Sequence, residues 1–305
     1  MIVLRALGLG DALTAIPALR ALADAFPRHR LLIAMPHPLE PLLRLARLPF
    51  ELLPTAGLAP LSPAHGAVEF AVNLHGRGPQ SHRVLRALRP ERLVAFADPS
   101  TVPAAGPRWQ AGEHEVSRWC RLLLESGIPA DPGRLRIEAP PAGPLSRPGA
   151  TVIHPGAASA ARRWPWRRWA AVARRERSAG REVLVTGGVA EAPLARAVAR
   201  AAALPETAVV AGRTDLAGLA DVVGAAGRVA SGDTGVAHLA TALGRPSVVL
   251  FGPVSPREWG PPAWSRGPHS VLWAGRRGDP HAPRPDPGLL RISVDEVGEA
   301  LDRVA

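Results

Sequence analysis

Four short stretches of this sequence combine residue types that handle a proton, a phosphate or a sugar hydroxyl. The first is Gly8-Leu9-Gly10-Asp11. Glycines after a strand permit close backbone approach, and a carboxylate in such a loop can serve as a general base. The same acid can instead cap the next helix. A dinucleotide-binding turn would need a third glycine at position 13, which is Leu13, and an acid at 11 repels a pyrophosphate. The second stretch runs from His154-Pro155-Gly156 to Arg162-Arg163. Two arginines closing a Gly/Ala/Ser loop offer planar, permanently charged forks for phosphate oxygens, or else form a solvated basic turn. The third, Thr186-Gly-Gly-Val-Ala-Glu191, holds a carboxylate able to accept hydrogen bonds from ribose hydroxyls, or one that merely favours a helix dipole. The fourth is Ser231-Gly-Asp233-Thr234-Gly235-Val-Ala-His238. It sets Gly235 at a helix N-terminus, where free amides attract anions. Thr234 adds a hydroxyl there, and His238 lies one turn further on, as a ligand contact or as a structural histidine. Asp233 and His238 have no third partner at convincing metal-ligand spacing, so no metal is expected.

All four stretches follow short apolar runs, and the chain alternates such runs with segments of helical period. Strands are expected at 3–7, 31–35, 50–53, 68–74 and 93–96, with helices carrying Leu13 to Phe26 and spanning 114–126. Pro17 suits the first turn of a helix, so that helix should begin near Thr14 and leave Asp11 in the loop. Residues 128–149 hold six prolines, which lack the backbone donor of helices and central strands, and read as an interdomain linker. The alternation restarts with strands at 151–154, 182–186, 208–211, 228–231 and 247–251. Helices are expected at 169–178, 192–202, 216–225 and 236–243. Residues 252–288, rich in proline, glycine and tryptophan, read as a long functional loop, and 294–304 as a closing helix. A βαβα pattern implies a parallel sheet covered by helices. The expectation is therefore two doubly wound domains, 1–140 and 149–305, with the closing helix free to pack back on the first. Open sheets of this kind bind ligands beyond the C-terminal ends of their strands, which should face each other across a cleft.

Composition narrows the partners. The chain has 305 residues, a formal charge of +11, and one cysteine, Cys120, so an internal disulfide and a cysteine-rich zinc module are excluded. No apolar run is long enough to span a membrane and the N-terminus has no signal-peptide pattern, which points to the cytoplasm. A positive balance suggests an anionic partner. Yet all 37 residues of the Lys+Arg total are arginine, a bias that reads as genomic. The run 162–169, RRWPWRRW, could sit at a membrane interface, but it is short for that, and Trp164 and Trp169 more simply pack a helix onto its sheet.

Taken in order, RALGLGDALTAIPALRALADAFP, HPGA…RRWP and SGDTGVAHLATALGRPSVVLFGP resemble glycosyltransferase family nine, the ADP-heptose:lipopolysaccharide heptosyltransferases, over nearly the whole chain. The resemblance implies a GT-B fold: two Rossmann-like domains, an acceptor-binding N-terminal one and a C-terminal one for the nucleotide sugar. It implies an inverting transfer from a nucleotide-diphosphate sugar, ADP-linked, to a hydroxyl of a glycan or glycolipid, with no metal and no cofactor. Asp11 matches the family's catalytic base. Arg162 stands where the family usually has a lysine on the donor phosphate, with Arg163 following. Glu191 matches the acid near the ribose, and Asp233, Thr234, Gly235 and His238 the signature holding the diphosphate. Acceptor contacts fall to Gly10 and to Asn73, His75 and Arg77, a loop where the family more often carries an acid and a glutamine. The implied setting is cell-envelope glycan synthesis at the inner face of the membrane, as a peripheral contact at most, without nucleic acid. A sugar-nucleotide epimerase of the same architecture would need extra acid/base groups near the sugar. A non-catalytic nucleotide-binding protein would tolerate loss of Asp11. A nucleic-acid binder would show strongly salt-dependent duplex binding.

Overall fold

In the computed structural model, residues 1–61, 67–98, 106–265 and 267–304 are described. The chain forms two compact units, Met1–Leu135 and Arg136–Ala305. Each is a five-stranded, wholly parallel sheet.

The first unit runs β1 (Ile2–Leu4), α1 (Leu9–Thr14), α2 (Ile16–Ala25), β2 (Leu32–Met35), α3 (Pro41–Leu45), β3 (Glu51–Pro54), β4 (Phe70–Asn73), α4 (Gln80–Arg86), β5 (Arg92–Val94) and α5 (Glu115–Glu125). Its strand order is β3-β2-β1-β4-β5. β1 is central, with Leu4 in register with Ala34 on one side and Asn73 on the other. Its residues are buried on both faces, so it reads as an unbroken apolar run rather than an alternating one. The order reverses between β1 and β4. That is the switch point at which open α/β sheets hold ligands; the segment leaving β1 leads into α1 with Gly10 and Asp11, and the loop leaving β4 runs from Asn73 to Arg77.

The second unit runs β6 (Thr151–His154), α6 (Trp166–Ser178), β7 (Val183–Val185), α7 (Ala192–Ala201), α8 (Leu216–Ala225), β8 (Arg228–Gly232), α9 (Gly235–Ala242), β9 (Ser247–Phe251), α10 (Pro256–Trp259), β10 (His269–Trp273), α11 (Pro287–Arg291) and α12 (Val294–Arg303). The order is β10-β9-β8-β6-β7, and Val209 adds a single parallel bridge to Val185 at the outer edge. Here the switch point lies between β6 and β8, so the 154–163 and 232–238 loops leave it side by side. From Arg136 the proline-rich stretch lies along this unit: the Ile137 N–H donates to Ala242 O at 2.9 Å, and that of Gly149 to Ala225 O at 3.0 Å. The closing helix α12 packs on α6, β9 and β10 within its own unit.

Three local expectations are corrected. The helix that should begin near Thr14 is two helices, and Asp11 sits in the first turn of the short one, α1, because Pro17 begins only the second. The strand expected at 208–211 is one bridge. Pro205 opens a single 3₁₀ turn at Glu206–Ala208, which leaves too few extended residues for a ladder. The 252–288 stretch is not one loop. It holds α10 and β10, the latter running parallel to β9 from His269↔Ser247 to Trp273↔Phe251. Pro268 is tolerated because it directly precedes an edge strand.

In the tryptophan–arginine run the two outer tryptophans face inward, while Arg163 and Arg167 are exposed. Trp164 and Trp169 are buried edge to face, with ring centroids 4.9 Å apart, in the cluster that joins β6, α6 and α12. Burying side chains of this size contributes about 2–3 kcal/mol each. Trp164 Nε1 donates to Ile292 O at 3.2 Å, and Arg168 donates to Leu290 O and Ile292 O. No helix among the described residues is long and apolar enough to cross a membrane.

Candidate active site

The first cluster sits at the switch point of the N-terminal unit. Asp11 is on α1 with its side chain 29% exposed. Beneath it lies Arg5, fully buried, at the residue after β1. Arg5 Nε donates to the Asp11 carbonyl at 2.9 Å, Nη1 donates to Leu74 O, and Nη2 lies 3.2 Å from both Thr14 Oγ1 and Glu115 Oε1. The Asp11 carboxylate stands 3.6 Å from Nη2, an ion pair rather than a hydrogen bond. Thr14 Oγ1 also donates to the Asp11 carbonyl, at 2.9 Å, which fixes the turn. An acid in a helix's first turn would ordinarily serve its dipole. Here the side chain is instead directed by a buried cation.

The 73–77 loop divides its labour. Asn73 is fully buried and spends its side chain on the loop: Nδ2 donates to Gly76 O at 3.1 Å and to Ser81 Oγ at 2.9 Å, and Oδ1 accepts from the His75 N–H at 3.0 Å. Its position is that of a scaffold for His75 rather than of an exposed ligand group. Burial, reinforced by the Arg5 cation and opposed by Asp11, holds His75 below the ordinary histidine value. Arg77 is exposed, and Gly10 lies partly exposed on α1 beside Asp11.

The second cluster gathers the three remaining stretches. Asp233 is buried between Arg162 and His238. Arg162 Nη1 lies 3.6 Å from Asp233 Oδ2, and His238 Nε2 lies 4.0 Å from Oδ1. Thr234 is the N-cap of α9, and Gly235 its first residue. Ser231 Oγ, Thr234 Oγ1 and Arg162 Nε are shielded atoms that have no hydrogen-bond partner among the described residues. Together with the free amides of α9 they form a set of polar groups suited to an anion. Arg163 is exposed, but its Nε donates to Ala157 O at 2.8 Å and braces the loop. The His238 ring stands edge to face with Trp259, centroids 5.9 Å apart, so the 252–288 segment supports this cluster.

Glu191 is brought to the same end of the sheet. Its Oε2 accepts from the Gly188 N–H at 2.9 Å and lies 4.0 Å from His154 Nε2. A Cβ on Gly156 would stand 2.0 Å from Glu191 Oε1, so only glycine leaves room for this carboxylate. His154 bonds Thr186 Oγ1 through Nδ1 at 3.1 Å, and its burial holds it below the ordinary histidine value despite Glu191. No group of three or more His, Cys, Asp or Glu arranged to hold a metal occurs among the described residues.

Sequence reasoning passed over Arg5, Glu115 and Trp119 as functional candidates, and named His154 only as the start of its stretch. The available signal was an arginine inside an otherwise apolar run. Glu115 gave none, since it looks like any first-turn helix acid.

Two Rossmann-like units with ligand-ready loops at both switch points define the GT-B class of fold. Solved structures share it along the whole chain. A family 9 glycosyl transferase from Veillonella parvula matches with a TM-score of 0.79 at 18% identity, covering 99% of this chain and 96% of that one. The Escherichia coli ADP-heptose lps heptosyltransferase II matches with a TM-score of 0.78 at 18% identity, over 99% and 97%. The family model described as glycosyltransferase family 9 (heptosyltransferase) matches residues 108–275, just over half the chain. The chain belongs to this family. Among curated proteins, lipopolysaccharide heptosyltransferase 1 of Pseudomonas aeruginosa is 36% identical over 151 residues, which is 48% of this chain and 41% of that protein. Lipooligosaccharide heptosyltransferase 2 of Haemophilus influenzae is 32% identical over 107 residues, 33% of this chain and 30% of that one. The matched segments thus span less than half of either relative.

Proposed function

We propose that this chain is an inverting, metal-independent glycosyltransferase. It would move a heptose or related sugar from an ADP-linked donor to a hydroxyl of a cell-envelope glycan or glycolipid. The observation that carries the reading is the second cluster: Arg162, the unpartnered Ser231 and Thr234 hydroxyls and the N-terminus of α9 converge where a departing diphosphate needs neutralising. Preorganised donors aimed at developing charge are the largest single contribution to many enzymes' rates. Arg162 supplies the charge that a metal ion supplies in other transferases, and its guanidinium beside Asp233 disfavours a cation there. Glu191, held against Gly156, accepts from the ribose hydroxyls. The solved neighbours in complex with ADP and with ADP-2-deoxy-2-fluoro heptose favour adenine and heptose as base and sugar.

On the acceptor side Asp11 takes the proton of the attacking hydroxyl. The oxygen then attacks C1 of the donor sugar, the C1–O bond to the diphosphate breaks with its electron pair going to the phosphate, and the anomeric centre inverts. His75, held below the ordinary histidine value, and Arg77 bind the acceptor, with Asn73 shaping their loop. The N-terminal unit thus acts as acceptor domain and the C-terminal unit as donor domain. Asp11→Asn tests the reading: sugar transfer should fall ~100-fold or more, typical of losing a general base, with the donor KM little changed. Near-wild-type turnover in Asp11→Asn would return Asp11 to the role of a helix-turn acid.

A further inference from the structure

We infer that Arg5 and Glu115 are positioning residues for Asp11, an acid–arginine–acid array that lets the more accessible carboxylate change protonation without stranding a buried charge. The inference rests on reading Asp11 as the base. Arg5 is buried, and its guanidinium joins the loops after β1 and β4 through the Asp11 and Leu74 carbonyls. One nitrogen, Nη2, serves both acids: Glu115 Oε1 at 3.2 Å and Asp11 Oδ1 at 3.6 Å. The closer acid is the buried one, with 6% side-chain exposure against 29% for Asp11. Glu115 is itself held: Trp119 Nε1 donates to Oε1 at 2.9 Å, Arg118 pairs with Oε2, and the Trp119 ring lies 4.7 Å from the Arg5 guanidinium carbon.

This asymmetry suits a base. A buried arginine without a counter-ion is strongly destabilising. Were Asp11 its sole counter-ion, every proton Asp11 took from an acceptor would leave Arg5 unpaired. Glu115 keeps Arg5 neutralised throughout, and Arg5 in turn holds Asp11 by its main-chain carbonyl and by an ion pair too long to occupy the carboxylate's lone pairs. The other ionisable groups around this array are Arg118, which pairs with Glu115 and lies 3.9 Å from a second carboxylate, that of Glu113, and His75, which is held below its ordinary value.

The test is the pH profile of kcat/KM for sugar transfer, measured in a His75→Asn background so that the acid limb reports Asp11. Glu115→Gln retains an acceptor for Trp119 but removes the charge. Arg5 then falls wholly to Asp11, the acid limb moves down by about one pH unit, and kcat drops with the donor KM unchanged. Arg5→Met moves the acid limb up, and Arg5→Lys restores part of kcat. Folded Glu115→Gln and Arg5→Met proteins with unmoved acid limbs and full kcat overturn the inference. If Glu115→Gln fails to fold, Arg5→Lys decides alone: kcat reduced with unchanged donor KM supports it, full kcat overturns it. Asp11→Asn is run alongside. Its retention of activity sinks the base assignment itself, whereas its inactivity with unmoved Glu115→Gln and Arg5→Met profiles sinks only the positioning role.

Discussion

Arg162 shows what a single side chain does and what it cannot do alone. Its guanidinium lies 3.6 Å from Asp233 Oδ2, while its buried Nε has no partner among the described residues. Asp233 aims it; the remaining donors are left for a ligand. Charge-assisted hydrogen bonds contribute about 1.5–3 kcal/mol each. Arg162→Gln should therefore weaken ADP binding by roughly 10-fold or more by the same measure, read by equilibrium titration, while the melting temperature stays close to wild type. Most residues of this cluster were legible in the sequence. Arg162, Glu191 and Asp233 each stand on a segment that follows an apolar run, with His238 one turn into the helix after it, and the topology of a parallel sheet turns that fact into a location. Arg5 and Glu115 were not legible. Their contact joins residues far apart in the chain; Arg5 stands out only as a charge in an apolar run, and Glu115 does not depart from ordinary helix-start usage.

At the scale of elements, the loops after β6 and β7 meet through one close approach. Glu191, from the loop after β7, rests on Gly156, from the loop after β6. Gly156→Ala puts a methyl 2.0 Å from Glu191 Oε1, inside any real contact. The carboxylate must move, so the donor KM should rise about 10-fold, the cost of one misplaced hydrogen-bonding group, whereas kcat at saturating donor should change far less. An unchanged donor KM would remove Glu191 from the ribose site. The glycine was visible in the sequence only as part of a flexible turn; the reason for it was not. The same holds for β10. Its HSVLW run has strand-like composition, but the prolines and glycines around it hid a five-residue edge strand inside what reads as one loop. The 208–211 run erred the other way: Val209 and Val210 have strand propensity, but at a sheet edge after Pro205 they make one bridge.

For the whole molecule, the charge of +11 is partly internal construction. Arg174 donates to Ala201 O at 2.8 Å, Arg177 to Ala203 O at 2.8 Å, and Arg228 to Leu301 O at 2.8 Å, so arginines tie down carbonyls at the ends of α7 and α12. Buried Glu176 pairs with Arg181 and lies 3.6 Å from Arg228. Burial alone would raise it, but bonds from Arg181 and Thr151 and the Arg228 cation hold it below the usual glutamate range. A carboxylate with a depressed folded value stabilises above its unfolded value, and that stability is lost as the pH falls through the folded one. His154, His75 and His82 are each held below the ordinary histidine value, chiefly by burial. A histidine of this kind binds its proton first in the unfolded chain, so stability declines as the pH falls below about 6.5. The melting temperature should therefore drop in two stages, first below about 6.5 and again below about 4.3. His82→Asn should blunt the first stage and Glu176→Gln the second. A melting temperature flat between pH 7 and 5 would contradict this assignment.

The central claim is that the second unit holds a nucleoside diphosphate through arginine, hydroxyls and helix amides, without a metal. The most direct measurement is isothermal titration calorimetry of the full chain with ADP in excess EDTA, with UDP, GDP, CDP and TDP as comparisons. Saturable one-site binding of ADP, stronger than that of the other nucleotides and lost in a folded Arg162→Gln/Thr234→Val double variant, is the predicted result. No binding of ADP in EDTA, or binding undiminished in that variant, would contradict it.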